Sequence, residues 1–122
     1  MAKLPFRRPE NVSGDFYVDQ SCIDCDTCRW LAPATFSRQG EQSAVYQQPE
    51  NLAQRTAALQ ALLACPTASI GTVQKPQEIK SIQAQFPLLI ADNVYHCGYH
   101  SESSYGATSY LIARPEGNIL VD

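Results

Sequence analysis

The sequence lacks several features that indicate common functions. It has no cluster of Lys or Arg, and its net charge is −3 with a pI near 5.3. Because phosphate binding requires a basic face, we expect no nucleic-acid partner. The longest apolar run, residues 86–91, is too short to cross a bilayer, and the N-terminal residues lack the apolar run of a signal peptide. We therefore expect a cytoplasmic protein with no membrane partner.

Internal repeats and low-complexity tracts are also missing, and the remaining composition is globular. A chain of 122 residues can form one compact domain plus an appendage, and its 44% apolar residues can supply a packed core. The pattern of short strands and helices predicts the α+β class. The expected divisions are a flexible arm at 1–11, a main domain at 12–73, a connector at 74–86 and a β-strand tail at 87–122.

Four of the five cysteines have a spacing that predicts a metal centre. Cys22, Cys25 and Cys28 form C-x2-C-x2-C, and Cys65 precedes a proline. Cysteines in a reducing compartment are more often ligands than disulfides. Three thiolates at this interval let a short loop wrap three corners of a 4Fe–4S cubane, and a cysteine at a helix end can cap the fourth iron. All four are predicted to bind this cluster.

Two other uses of these cysteines have to be weighed. Four thiolates also suit tetrahedral zinc, which would make the site structural and unable to cycle between redox states. Zinc sites, however, favour two separate C-x2-C pairs, and a third cysteine at the same interval crowds a single ion. A disulfide framework does not suit the expected compartment. The cluster is the favoured interpretation, and zinc stays open as its alternative.

Local patterns predict the elements that would carry this site. The main helix is expected from Pro49 to Ala64, with Pro49 at its first position and Leu52, Leu59, Leu62 and Leu63 forming its core stripe. The other expected elements are a strand at 15–19, a helical turn at 28–32, a hairpin of 35–38 and 43–46 turning near Gln39–Gly40, and a strand at 69–73.

The surroundings of the cysteines suggest a shielded cluster beside a charged face. Side chains expected to keep water from the sulfides are Ile23, Trp30, Phe36, Leu63 and Ile70. Between Pro9 and Asp26 there are five acids and no base. This run is either a solvated face or a docking surface, and the docking interpretation predicts a basic redox partner near Asp24 and Asp26.

Residues 12–73 resemble a single-cluster bacterial-type ferredoxin. The segments that carry the resemblance are Asp15-Phe-Tyr-Val-Asp19, the C-x2-C-x2-C loop, Ala32-Pro33-x-x-Phe36 and Ala64-Cys65-Pro66-Thr-Ala-Ser-Ile70. The resemblance implies a ferredoxin-like pseudo-twofold fold in which the helix at 49–64 replaces a second cysteine run. It also implies one-electron transfer between the 2+ and 1+ cluster states at low potential, which makes the protein an electron carrier and not an enzyme.

The tail has a different resemblance. Three strands are expected at 94–100, 107–113 and 118–122, forming an antiparallel meander. Residues 88–122 resemble the first strands of a metallo-β-lactamase-fold hydrolase, and the segments that carry this resemblance are His100-Ser-Glu-Ser, Tyr105 to Ile112 and Asn118 to Asp122. The H-x-H-x-D-H metal motif of that family is not in the sequence. The alternative function is therefore a redox or regulatory module of such a hydrolase, whose catalytic part would lie beyond this chain.

Two further expectations concern the tail. His96, Cys97 and His100 could suggest a second metal, but strand alternation places Cys97 on one face and both histidines on the other, so they are expected to be ordinary strand residues. A meander this small cannot bury both of its faces alone. The tail is expected either to pack on the main domain or to pair with another copy, and the favoured outcome is a homodimer through residues 87–122, formed by strand addition or exchange.

Overall fold

The structure of the chain, a computed structural model, describes residues 1–98 and 109–121. It combines helices and strands, in agreement with the α+β prediction. The strands are β1 (Phe16–Val18), β2 (Phe36–Gln39), β3 (Gln42–Val45), β4 (Ile70–Thr72), β5 (Leu88–Ala91), β6 (Val94–His96), β7 (Tyr110–Ile112) and β8 (Ile119–Val121). The α-helices are α1 (Thr27–Leu31), α2 (Leu52–Ala64) and α3 (Ile79–Gln83), and a 3-10 turn covers Leu4–Phe6. No helix among the described residues has the length and apolar character needed to cross a bilayer.

The β1–β4 pair brings distant parts of the chain together. The two strands are antiparallel, with Val18 opposite Ile70 and Phe16 opposite Thr72. The chain leaves β1 at Val18 and enters β4 at Ile70, so both connections lie at the same end of the pair. The cysteine loop and the turn that carries Cys65 are therefore adjacent.

The β2–β3 hairpin confirms the sequence prediction. Phe36 pairs with Val45 and Gln39 with Gln42, so the chain reverses at the residues between the strands. Gly40 lies in this reversal with φ +72°, a conformation that glycine adopts without strain. The hairpin also carries Ser43, which is 1% exposed and lines the cysteine pocket described below.

Helix α2 begins later than the sequence predicts. The Asn51 side chain accepts a hydrogen bond from the Gln54 N–H at 2.9 Å, so Asn51 is the N-cap and Leu52 the first helical residue. The prediction of a start at Pro49 is therefore wrong, because a capping side chain outweighed the preference of proline for a first turn. The predicted stripe is correct at Leu59 and Leu62 and wrong at Leu52, which is 78% exposed.

The hydrophobic core lies between α2 and the first four strands. Its largest apolar side chains, each no more than 2% exposed, are Phe16, Val18, Phe36, Val45, Leu59 and Ile70. They come from β1, β2, β3, α2 and β4, so every element that flanks the cysteines is anchored in one core. Such a core holds the adjoining loops in fixed positions.

Residues 1–11 were predicted to be a flexible arm, and the structure corrects this. The Arg8 backbone N–H donates to Val18 O at 3.0 Å, and Arg7 forms an isolated β-bridge with Asp19. The Arg8 guanidinium, in a residue only 6% exposed, donates to Ser43 O at 2.7 Å and to Gln39 O at 2.9 Å. A buried cation requires such acceptors, which fasten the segment to β1 and the hairpin.

The connector is attached to α2. Arg55 of α2 forms an ion pair with Glu78, with Nε 2.5 Å from Oε2. The hydrogen bonds from Arg55 lower the pKa of Glu78 below its usual value. Next to this pair, Ile82 of α3 is buried in the core at 3% exposure.

The tail forms a four-stranded antiparallel sheet in the order β5-β6-β7-β8. Three strands were predicted, and β5 was missed because its four residues are apolar without alternation. The prediction for residues 99–108 and for Asp122 lies outside the described residues. His96 is 4% exposed, with its ring 6.4 Å from that of Phe86 and 5.5 Å from that of Tyr110. Phe86 in turn packs on the main core.

Candidate metal centre

The loop that carries Cys22 and Cys25 owes its shape to two aspartates. Asp24 has φ +59° and Asp26 has φ +71°, and aspartate tolerates this left-handed region better than most residues. Left-handed residues in a loop can turn nearby N–H groups to its concave side, as in anion-binding nests. The Asp24 N–H accordingly donates to Cys22 Sγ at 3.4 Å.

Cys28 lies on α1 and is the most buried of the four cysteines, at 8% exposure. Its thiol donates to Ser43 Oγ at 3.4 Å. Burial raises the pKa of the Cys28 thiol to about 11, against the smaller opposing effect of Ser43, and the other three cysteines raise it further. The thiol is therefore protonated near neutral pH, and a bound iron would have to replace that proton.

Cys65 is positioned by the end of α2. It is the C-cap residue with extended backbone, and Pro66 cannot continue the helix. The chain then turns through Ala68, whose φ is +51°, and the Ser69 N–H donates to Cys65 Sγ at 3.3 Å. This sulfur thus receives a backbone hydrogen bond, as Cys22 does in the loop.

All four predicted cysteines line a single pocket. It lies between the cysteine loop, the hairpin and the Cys65 turn and is partly open to solvent. The other lining residues are Val18, Ile23, Asp26, Thr27, Ser43, Thr67, Ser69 and Ile70. Within residues 1–98 and 109–121, no three Cys, His, Asp or Glu side chains gather around the position of one metal ion.

The apolar shell differs from the one predicted. Phe36 and Ile70 are buried as expected, at 2% and 1% exposure. Trp30 is 76% exposed and does not line the pocket, so its prediction as a shielding residue is wrong, whereas Ile23 lines the pocket although it is 61% exposed. The Trp30 indole N–H donates to Asp26 Oδ2 at 3.0 Å, which keeps the ring over the outer side of the loop.

The acidic loop is paired with cations that come from later in the chain. Arg29 lies 2.7 Å from Asp24 Oδ1 and 2.6 Å from Asp26 Oδ1. Arg38 of β2 lies 3.2 Å from Asp24 Oδ2. The run of acids without a base is therefore a property of the linear sequence, and in the fold these two carboxylates are compensated.

Hydroxyl side chains beside the sulfurs were not predicted from the sequence. Ser43 contacts Cys28, and Thr67 Oγ1 lies 3.6 Å from Cys65 Sγ. Ser69 connects Thr67 to Ser21 through contacts of 2.6 and 2.7 Å. Only the position of Thr67 and Ser69 directly after Cys65-Pro66 could have indicated such a role.

The remaining cysteine and the histidines stand apart from the pocket. Cys97 follows β6 and is not among the lining residues, and its N–H donates to Ser109 O at 3.1 Å. His96 is buried between Phe86 and Tyr110. His100 lies outside the described residues, so the expectation about a second metal stays a prediction.

Comparisons with known proteins identify the cofactor of this segment. A family model described as the 4Fe-4S single cluster domain of Ferredoxin I matches residues 18–72, which include all four pocket cysteines. The cofactor of this segment is therefore a 4Fe–4S cluster. The match does not extend to residues 88–122. Comparisons with curated proteins and with solved structures give no match.

Proposed function

We propose that this protein transfers single electrons through one 4Fe–4S cluster bound by Cys22, Cys25, Cys28 and Cys65. The observation that carries the proposal is the shared pocket, which joins the three loop cysteines to Cys65 from the far end of α2. The family match to residues 18–72 supports the same cofactor. A 4Fe–4S cluster accepts and releases one electron, and the protein's part is to hold, shield and orient it.

The donor set fits this cofactor better than it fits zinc. A tetrahedral zinc site needs its four sulfurs about 2.3 Å from one point. The C-x2-C-x2-C spacing with a distant Cys-Pro is instead the pattern of 4Fe–4S ligands, and the family model that matches residues 18–72 is described as a 4Fe-4S domain.

We propose that a redox partner docks where the site is closest to solvent. Cys25 is exposed, and Ile23 and Trp30 present apolar surface on the same loop and helix. Partner proteins commonly bury such aromatic side chains at interface centres. The predicted docking of a basic partner near Asp24 and Asp26 remains a proposal, and the ion pairs with Arg29 and Arg38 reduce the charge such a partner would meet.

The alternative is a redox or regulatory module of a metallo-β-lactamase-fold hydrolase. Its support is the resemblance of residues 88–122, together with the antiparallel strands β7 and β8 in the segments that carry it. The exposed apolar side chains of β8 could pack in a larger sheet. A longer gene product that contains H-x-H-x-D-H, and whose hydrolysis rate depends on the cluster redox state, would support it.

The test of the main proposal is reversible electron transfer by the purified, cluster-loaded chain. Protein-film voltammetry should give one reversible wave, with a peak width that indicates a one-electron couple. The reduced protein should pass to a soluble acceptor as many electrons as it took up on reduction. A chain that binds iron and sulfide but shows no reversible wave would contradict the electron-transfer function.

A further inference from the structure

A chain of hydroxyl groups connects a buried carboxylate to the sulfur of Cys65. Ser21 Oγ donates to Asp19 Oδ1. Ser21 Oγ lies 2.7 Å from Ser69 Oγ, Ser69 Oγ lies 2.6 Å from Thr67 Oγ1, and Thr67 Oγ1 lies 3.6 Å from Cys65 Sγ. We call these five residues the Asp19–Cys65 chain. Two of them, Asp19 and Ser69, are 4% and 1% exposed.

The carboxylate end of this chain has a fixed polarity. Asp19 Oδ1 also accepts a hydrogen bond from the Ser21 N–H at 2.9 Å, and Oδ2 accepts one from the Lys3 N–H at 3.0 Å. An ionised carboxylate accepts hydrogen bonds and donates none. The contact between Asp19 and Ser21 therefore has to use the hydroxyl proton of Ser21.

Counting protons then fixes the direction of every other contact. Each hydroxyl has one proton, and each short oxygen–oxygen contact requires one. Because the Ser21 proton points to Asp19, Ser69 donates to Ser21 and Thr67 donates to Ser69. The three contacts use all three protons, so Thr67 turns an oxygen lone pair towards Cys65 Sγ.

We propose that Asp19, Ser21 and Ser69 hold the Thr67 hydroxyl turned away from Cys65 and thereby keep the reduction potential of the cluster low. This inference rests on the proposed cluster ligation by Cys65. Hydrogen bonds donated to ligand sulfurs stabilise the more negative, reduced cluster and raise its potential. The Ser69 N–H donates one such bond to Cys65 Sγ at 3.3 Å. Because the Thr67 proton points to Ser69, Thr67 does not donate a second one.

Ser43 provides a contrast within the same pocket. Its Oγ lies 3.4 Å from Cys28 Sγ, and among the described residues its hydroxyl contacts no carboxylate. Once Cys28 is a thiolate, the Ser43 hydroxyl can donate to its sulfur. Ser43 and Thr67 thus lie near two ligand sulfurs with opposite hydroxyl orientations. Removal of the Ser43 hydroxyl should therefore lower the potential.

The experiment is a double-mutant cycle in the cluster-loaded full-length chain. Ser69→Ala removes one hydroxyl, keeps the backbone N–H to Cys65 and changes no charge. It frees the Thr67 proton to donate to Cys65 Sγ, so the potential measured by voltammetry should rise. In the Thr67→Val background the same Ser69→Ala change should give little or no shift, because no hydroxyl remains to turn. Ser43→Ala should shift the potential in the opposite direction.

A second variant keeps the inference testable if the Ser69→Ala chain folds poorly. Ser21 is exposed, so Ser21→Ala leaves the core intact, and by removing the link to Asp19 it should also raise the potential. Three results would overturn the inference while leaving electron transfer intact: equal shifts with and without the Thr67→Val change, a fall in potential with Ser69→Ala, or no change with either serine variant. An unsubstituted chain without a reducible cluster would remove the proposed function and this inference together.

Discussion

Among the four pocket cysteines, Cys65 is the one whose role depends on tertiary structure. It reaches the pocket from the end of α2, while the other three lie close together in the sequence, in the cysteine loop and at the start of α1. Cys65→Ser should leave at best a labile or three-iron species, because three loop thiolates cannot hold a fourth iron at the same strength. Iron content and the EPR spectrum of the oxidised protein would show this.

Cys97 is the matched control for that substitution. It is a partly buried cysteine outside the pocket, so Cys97→Ser should keep the iron content and spectrum of the unsubstituted chain. Loss of iron in both variants would show that the assignment of Cys65 as the fourth ligand is not supported.

Arg29 should contribute more to the stability of the protein than Arg38 does. The Arg29 side chain is 14% exposed and contacts both Asp24 and Asp26, whereas that of Arg38 is 58% exposed and contacts Asp24 alone. Arg29→Gln should lower stability by ~1–2 kcal/mol, and Arg38→Gln by ~0.2–1 kcal/mol. Thermal melts of the loaded protein measure both. Equal losses would contradict the role given to Arg29.

Single residues also show what the sequence alone can predict. The cysteine spacing was sufficient to predict which four cysteines line the pocket, and their role as cluster ligands remains a proposal. The exposure of Trp30 was not predictable, since an aromatic residue in a small domain is more often buried. The pairing of Asp24 with Arg38 depends on the hairpin and cannot be read from neighbouring residues.

Helix α2 offers a test at the scale of the element. Leu59 is fully buried and Leu52 is 78% exposed on the same helix. Leu59→Ala should cost ~2–5 kcal/mol, since it removes buried methyl groups and leaves a cavity. Leu52→Ala should change the free energy of unfolding by less than about 0.5 kcal/mol. Denaturant titration of both loaded variants measures these values, and a large effect at Leu52 would contradict the helix orientation described above.

Element existence was more predictable than element boundaries. The hairpin, α2 and the short strands β1 and β4 all lie where sequence patterns predict them. The start of α2 was displaced because the cap at Asn51 is a side-chain contact that competes with proline preference. Strand β5 was missed because an apolar run without alternation is compatible with either a strand or a helix.

For the whole molecule, β8 forms an edge of the tail sheet, and no second strand among the described residues pairs with its outer side. β8 ends the sheet, and Ile119, Leu120 and Val121 are 40%, 63% and 47% exposed. Such an edge offers hydrogen bonds and apolar surface to another strand. We propose that two copies pair through residues 87–122.

Light scattering of the cluster-loaded chain tests this dimer. Leu120→Lys places a charge on the edge strand and should give a monomer that keeps its cluster, as should removal of residues 87–122. Leu52→Lys adds the same charge on exposed α2 surface and should leave the dimer intact. A monomeric unsubstituted chain would contradict the proposal.

The attachment of the N-terminal residues could not be predicted from their own sequence. Residues 1–11 are polar and interrupted by proline, a pattern typical of loose segments. They are held by Arg8, whose acceptors Ser43 O and Gln39 O become available only when the hairpin has formed. Long-range contacts of this kind depend on the complete fold, whereas the grouping of Cys22, Cys25 and Cys28 follows from their spacing in the sequence.

The most direct test of the central claim is chemical and spectroscopic analysis of the anaerobically purified full chain. We predict about four iron and four sulfide per chain, from the cluster type. The protein should show a broad visible absorbance that dithionite bleaches and air restores, with an EPR signal only in the reduced form. Stoichiometric zinc without visible absorbance, or iron without sulfide, would contradict the account.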